Sequence, residues 1–430
     1  LGAHRIYTRI IRTLDLGPRI GDVPPNACFE YPNIRALAEF LHALRTGATH
    51  RKRAEIDVMQ ELLDRYGHFS PHRVSAPASP RVVALTGATG SLGAHLLTTL
   101  LDDPKIDKVI CLNRGDAPAE RTARALRQRR LPPPDPARVT ALTADLSRPD
   151  LGLAPDTLSG VDLVIHNAWS VNFNMGVASF EPHIRATRNL LDLAFRHDAR
   201  FCFISSVSAA ARAGPRIPEA HLENLSDAQE MGYARSKLVA ERLCREARAA
   251  GLDARVLRVG QIIGDTRHGQ WNPTEAIPLM LRSAVTLGAL PTLDDTLNWL
   301  PVDTVARVIV ELARAVGDQA VYHVVNPHAF HWTRDLLPML RDAGLHFEPL
   351  SPREWLDRLA ASPADPAANP TIKLLEFFRA KYAEPNSRPR PFYETRLTEQ
   401  ASPTLHRTRA PDLSLIRKIL EYWETECWRT

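Results

Sequence analysis

The 430 residues contain no window of 18 or more uninterrupted apolar residues, and the amino terminus lacks the basic, apolar and small-residue order of a signal peptide. Neither a membrane span nor secretion is indicated, and a soluble cytoplasmic protein is expected. Cysteine is sparse. Cys28, Cys111, Cys202, Cys244 and Cys427 are odd in number, widely spaced and mostly inside apolar runs. Their spacing matches no metal-ligand pattern, so buried free thiols are expected and a metal site is not. A basic stripe is missing too. The net charge of +5 is spread along the chain, "THRKRAE" at 49 to 55 is the one dense basic run, and no nucleic-acid partner is expected.

Apolar residues make up 44% and charged residues 24%, the balance of a globular protein, which argues against disorder along most of the chain. A length of 430 residues implies two or three units. Residues 1 to 47 read as helical: Leu1, Ile6, Ile10 and Leu14 recur at helical spacing, "LGPRIGDVPPN" breaks the pattern, and "NIRALAEFLHALR" restores it with Asn33 as a cap. The chain opens in mid-helix without Met, so a fragment of a longer protein is expected. Residues 48 to 79 read as a linker with one amphipathic helix near 54 to 66 and a polar tether behind it.

From residue 80 the texture becomes a βα alternation that runs to 328. "RVVALT" (81 to 86), "KVICL" (108 to 112), "RVTALTA" (138 to 144), "VDLVIH" (161 to 166), "RFCFIS" (200 to 205), "ARVLRV" (254 to 259) and "AVYHVV" (320 to 325) are short apolar runs, most of them separated by helical segments. Near-continuous apolar strands are buried on both faces. The fold class expected is therefore α/β, a doubly wound parallel sheet. Residues 329 to 430, with part of 265 to 300, are expected to form a smaller helical lid over the carboxyl edge of the sheet.

Directly after the first strand stands "TGATGSLGAHLLTTLL", in which Gly87, Gly90 and Gly93 open an apolar helix. Strand, tight turn and helix are the setting in which such a triplet binds a dinucleotide. Gly87 makes the turn, Gly90 lets backbone approach a pyrophosphate, and Gly93 packs helix on sheet. Ala88, Thr89, Ser91 and Leu92 complete the loop and the helix amino terminus that would hold the phosphates. The second strand then lacks the Asp or Glu that bonds the ribose of NAD; "ICLNRGD" places Asn113 and Arg114 there instead. Arg114 can pair with a 2′-phosphate, so NADPH is expected. Arg124 is either a second contact or a solvated helix charge. Asp145 and Leu146 would flank the adenine, and Asn167 and Ala168 in "IHNAW" would lie near the cofactor ribose.

"MGYARSKLVAE" sets Tyr233 and Lys237 one helical turn apart on a shared face. An ammonium there would lower the phenol pKa and could bond the nicotinamide ribose. Tyr233 becomes a proton donor, and Ser206, ending the strand in "FISSVSAA", a second hydrogen-bond donor to a substrate oxygen.

"TGATGSLG", "SSVS" and "YARSK" resemble the extended short-chain dehydrogenase/reductase superfamily across about residues 81 to 330. More narrowly, "HNAWSVNF", "SFEPHIRATRNLLDLA", "RVGQIIGD" and "NWLPVDTVA" look like the terminal thioester reductase domains of non-ribosomal peptide synthetase-like enzymes, carboxylic acid reductases among them. The resemblance implies NADPH-dependent reduction of an acyl chain held as a phosphopantetheine thioester, with release of an aldehyde or sometimes an alcohol. It implies Ser206, Tyr233 and Lys237 as the catalytic set, Arg114 and Arg124 as 2′-phosphate contacts, and Gln261 in the cofactor-binding set. The family often has Thr where Ser206 stands. Residues 1 to 47, with "LGAHRIYTRIIRTLDLG" and "VPPNACFEYPNIRALAEFL", are similar to the second half of a carrier protein. The implied partners are an acyl thioester on a carrier in the same polypeptide, whose attachment serine precedes this sequence, and an upstream adenylation domain. Two other readings stay open: an NAD-holding epimerase or dehydratase on the same scaffold, and a non-catalytic dinucleotide-sensing module.

Overall fold

The computed structural model describes residues 2–24, 27–31, 34–47, 54–72, 80–363, 365, 368–382 and 391–428. The proposed Asn33 cap, most of the basic run at 49 to 55 and residues 73 to 79 of the expected tether lie outside them.

All seven apolar runs are strands: β1 (Val82–Thr86), β2 (Lys108–Asn113), β3 (Val139–Thr143), β4 (Leu163–His166), β5 (Arg200–Ser206), β6 (Ala254–Val259) and β7 (Val321–Val324). They form one parallel sheet in the order β7-β6-β5-β4-β1-β2-β3. Alternate side chains feed opposite faces, as the pleat requires. Val83, Leu85, Val109 and Cys111 pack on one side with Leu96, Leu100 and Val308, whereas Ala84, Ile110 and Leu112 pack on the other with Leu190 and Leu238. The first layer comes from helices α1 (Ser91–Asp102) and α2 (Val302–Arg314); the second from α3 (Glu181–Arg196) and α4 (Gly232–Ala249). Strand order reverses between β1 and β4, so the carboxyl ends of these neighbours open a crevice, where doubly wound sheets bind ligands. Thr86 stands beside His166 there.

A separate apolar core gathers Trp271, Trp299, Trp332, Trp355 and Trp423 from residues 263–428. Trp271 lies 5.5 Å from both Trp299 and Trp423, ring centre to ring centre. Residues 391 to 407 depart from the expected single lid and return to the sheet. Tyr393 pairs alongside Ile217, Thr398 Oγ1 accepts from the His323 amide at 2.9 Å, and Leu405 joins the α1 and α2 side of the core. The buried Glu219 carboxylate draws this segment in by accepting from the amides of Leu397 at 2.6 Å and Thr398 at 2.8 Å.

The helix Glu55–Tyr66 is likewise no loose linker element. Met59 and Leu62 enter the main core, Glu55 pairs with Arg235 of α4 at 3.1 Å, and Arg188 of α3 donates to the Tyr66 carbonyl at 2.8 Å. Upstream, helices Gly2–Thr13 and Ile34–Thr46 pack around Ile10, Leu16, Val23, Ala27 and Phe40, a small core of their own. No helix among the described residues is long and apolar enough to cross a membrane. All five cysteines are free, and burial pushes the thiols of Cys111 and Cys202 up to about 12.

Candidate active site

A cleft of about 2260 Å³ runs along the carboxyl edge of the sheet and under the helical lid. Its wall begins at Gly87, whose φ of +73° suits glycine and where an added Cβ would meet the Ala168 amide nitrogen and Asn167 Nδ2 at 3.0 Å. Gly93 is tighter still: a Cβ there would stand 1.9 Å from the Gly87 carbonyl oxygen, because the first turn of α1 rests on the preceding loop. Gly90 is the helix N-cap and has no side chain with which to bond the first-turn N–H groups, so the positive helix end lies at the cleft wall with Thr89, Ser91 and Leu92. Ala88 and Gly93 are buried and support the loop without lining the cleft.

Thr86 ties the two switch-point strands together. Its hydroxyl oxygen accepts from the amides of both Asn167 and Ala168 at 3.0 Å and so gives its one proton to His166 Nδ1, 2.9 Å away. His166 is therefore the neutral Nε2–H tautomer. Burial, with Lys237 nearby, holds its pKa well below the usual imidazole value. Asn167 and Ala168 are thus fixed against Gly87.

Beside the Gly87 loop, Asn113 and Arg114 line the cleft at the end of β2, as do Asp145 and Leu146 after β3. Asn113 Nδ2 donates to Thr122 Oγ1 at 2.9 Å, and its Oδ1 is buried without a hydrogen-bond partner. Arg124 is exposed and does not line the cleft, as the solvated-charge alternative has it; Arg121, three residues earlier on the helix Pro118–Gln128, does, and donates to the Arg114 carbonyl oxygen.

Ser206, Tyr233 and Lys237 meet at the middle of the cleft, with Gln261 on the same wall. Ser206 ends β5 in extended backbone, and its Oγ accepts from the Ser208 hydroxyl at 2.9 Å. Tyr233, on the first turn of α4, is hydrogen-bonded to Ser206. Phe173 and Phe180 flank its ring edge-on at 5.4 and 6.4 Å between centres. Lys237 Nζ donates to the Ile204 carbonyl at 2.6 Å and sits 4.2 Å from the Trp169 ring centre and 4.7 Å from that of Phe203.

The expected acidification of Tyr233 by Lys237 is absent. Burial pushes the phenol up to about 12, and its hydrogen bond with Ser206 pulls only weakly the other way. Burial also brings Lys237 down to about 7 against the attraction of Glu241. Burial disfavours the charged form of Lys237, whose Nζ is turned to a backbone carbonyl and two rings, so it does not offset the desolvation of the phenol. The outcome still suits a proton donor, because Tyr233 keeps its proton at neutral pH.

Sequence reasoning missed Thr86, His166, Trp169, Arg121 and Glu241. Trp169 and Glu241 stood within the motifs "HNAWSVNF" and "MGYARSKLVAE", where an aromatic beside a turn and a carboxylate one helical turn after Lys237 were legible signals. The Gly87 cradle, the helix end, the unpartnered Asn113 Oδ1 and the Arg114 and Arg121 pair fit a dinucleotide.

Comparison with known proteins agrees with this fold. A family model described as a male sterility protein, with an NAD-binding fold, matches residues 85–309. A carboxylic acid reductase of Neurospora crassa is 34% identical over 379 residues, 81% of this chain; the chain spans 36% of that protein's length. Among solved structures, the terminal R domain of the myxalamid PKS-NRPS pathway superposes with a TM-score of 0.74 at 28% identity, covering 86% of this chain and 98% of the domain. A thiolation-reductase di-domain of an archaeal non-ribosomal peptide synthetase shares the fold with a TM-score of 0.66 at 21% identity, covering 98% of this chain and 90% of its own.

Proposed function

The chain belongs to the NAD-binding, male sterility protein family, beside carboxylic acid reductases and terminal reductase domains, and on that premise we propose that it reduces a carrier-bound acyl thioester with NADPH and releases an aldehyde. The observation that carries this reading is the meeting of Ser206, Tyr233 and Lys237 at the centre of a cleft whose one end is the Gly87 cradle and the Arg114 and Arg121 pair.

In this reading Gly90, Ser91 and Leu92 at the α1 terminus hold the pyrophosphate, and Asn113, Arg114 and Arg121 receive the adenosine end with its 2′-phosphate. Bound NADPH would supply a hydride to the thioester carbon. The Ser206 and Tyr233 hydroxyls bond the carbonyl oxygen and stabilise the charge that develops there. Tyr233 then gives up its proton, and collapse of the resulting hemithioacetal frees the aldehyde and the carrier thiol. Lys237 anchors the ribose side and fixes the carboxyl end of β5 through Ile204. Trp271 of the lid and Phe173 line the cleft and would help keep water from the reacting carbon.

Residues 1 to 47 are read as part of the carrier itself, a reading supported by the di-domain likeness over 98% of the chain. A tethered carrier would present its thioester at an effective concentration on the order of millimolar. A cytoplasmic setting and an adenylation domain upstream accord with the same reading. Incubation with NADPH and a panel of acyl-pantetheine thioesters, with products identified by mass spectrometry, tests it. Aldehyde formation with NADPH consumption supports the reading; NADPH left unoxidised with every thioester contradicts it.

A further inference from the structure

Beneath Ser206 and Lys237 lies a chain of buried polar groups that the reaction as described does not use. Glu241, one turn beyond Lys237 on α4, is 1% exposed. Its carboxylate accepts from Ser205 Oγ at 2.5 Å and from Arg258 of β6 through Nε at 3.1 Å and Nη2 at 2.8 Å. Arg258, fully buried, also approaches His323 Nε2 of β7 at 3.2 Å. A guanidinium can only donate, so His323 Nε2 accepts and Nδ1 carries the hydrogen, which goes to the Glu394 carbonyl at 2.7 Å. Burial and the neighbouring Arg258 hold His323 down to about 3, so it is neutral.

Two links join this chain to the catalytic groups. Lys237 holds Ile204 and Glu241 holds Ser205, so successive residues at the end of β5 are pinned from successive turns of one helix, and Ser206 follows directly. Beyond Ser206, the Tyr393 hydroxyl donates to the Val207 carbonyl at 3.0 Å. The second link is electrostatic. Around Lys237 stand Tyr233, Glu241 and Cys244 on its own helix, His166 from β4 and His183 from α3; both histidines are held neutral by burial, His183 at about 4. Glu241 is therefore the anion of that set.

Building on the proposed reductase reading, we propose that Glu241 is a positioning residue of this site: with Arg258 as its counter-ion, it sets the Ser206 hydroxyl through Ser205 and keeps Lys237 an ammonium. Arg258 neutralises Glu241 in the resting pair. Removing the carboxylate charge alone would leave the buried Arg258 guanidinium unpaired behind the site, an uncompensated positive charge that disfavours the Lys237 ammonium.

The test follows Lys237 directly. Protein carrying 15N-labelled lysine is titrated by NMR, and the Lys237 resonance is assigned by its loss in Lys237→Met. Glu241→Gln is expected to weaken proton binding at Lys237 about tenfold or more. Glu241→Gln/Arg258→Met, which removes both charges, is expected to return it toward the parent value. Ser205→Ala leaves the ion pair intact and covers a failure of Glu241→Gln to fold. It should leave the Lys237 midpoint in place and lower kcat with an acyl-pantetheine thioester about tenfold at unchanged KM, the scale of one lost hydrogen bond. An unmoved Lys237 midpoint in a folded Glu241→Gln, or full turnover in Ser205→Ala, overturns the proposal. The NMR result stands whether or not a thioester is the substrate, so failure of the reductase reading would be visible separately, as absent turnover in the parent protein.

Discussion

Lys237 Nζ bonds the Ile204 carbonyl at 2.6 Å while lying 5.9 Å from the centre of the Tyr233 ring. The lysine that sequence spacing assigns to the tyrosine is thus held first by the strand that presents Ser206. Its charge is lost as pH rises through about 7, whereas Tyr233 keeps its proton to about 12. An ammonium that serves the cofactor is present below pH 7 and disappears above it. The kcat/KM for NADPH, which reports the free enzyme, is therefore expected to fall above about pH 7. In Lys237→Met the low residual value should be flat across that range.

The cofactor's adenosine end separates three arginines. Arg114→Ala should weaken NADPH binding about 10- to 100-fold and leave NADH nearly unchanged, the scale of one lost charge-assisted hydrogen bond. Arg121→Ala should show the same selectivity to a smaller degree, and Arg124→Ala no selectivity, since its side chain lies off the cleft. Fluorescence titration with both cofactors measures all three.

Gly93→Ala drives a methyl to 1.9 Å from the Gly87 carbonyl oxygen, a backbone atom that cannot swing aside. The cost should reach about 1–3 kcal/mol or more in denaturant unfolding. NADPH affinity should fall with it, because the loop that moves is the one that would cradle the pyrophosphate.

Met59→Ala tests whether the helix Glu55–Tyr66 belongs to the body of the protein. Met59 is fully buried against the main core, so truncation should cost about 2–5 kcal/mol and lower the melting temperature of the reductase portion by several degrees. A helix acting as a spacer would tolerate the change.

The seven strands were legible because strands buried on both faces, such as β1 and β4, read as near-continuous apolar runs. The Gly87 loop was legible because turn chemistry and helix start are local. What stayed hidden depends on distance in three dimensions. Arg121 and Arg124 lie about one turn apart on the helix Pro118–Gln128, and which of them reaches the cleft depends on how that helix sits against the sheet, which spacing alone does not rank. Glu241, Arg258 and His323 are 17 and 65 residues apart along the chain and meet because α4 packs on β5 and β6, and β6 pairs with β7. Residues 391 to 407 carry helical spacing like the rest of the carboxyl-terminal region. Their return to the sheet is fixed by the Glu219 and Glu311 carboxylates, whose partners are backbone amides and hydroxyls that no sequence pattern marks. The acidification assigned to Tyr233 failed because adjacency on a helix was weighed without the desolvation of Lys237.

The central claim is hydride delivery to a thioester carbon with Tyr233 as the proton donor, and deuteride transfer tests it most directly. Single-turnover reaction of carrier-bound acyl thioester with NADPH deuterated at both C4 positions should place deuterium on the aldehyde carbon, at a rate about 100-fold or more lower in Tyr233→Phe with NADPH affinity nearly intact. An aldehyde without deuterium, or a Tyr233→Phe rate equal to that of the parent, would contradict it.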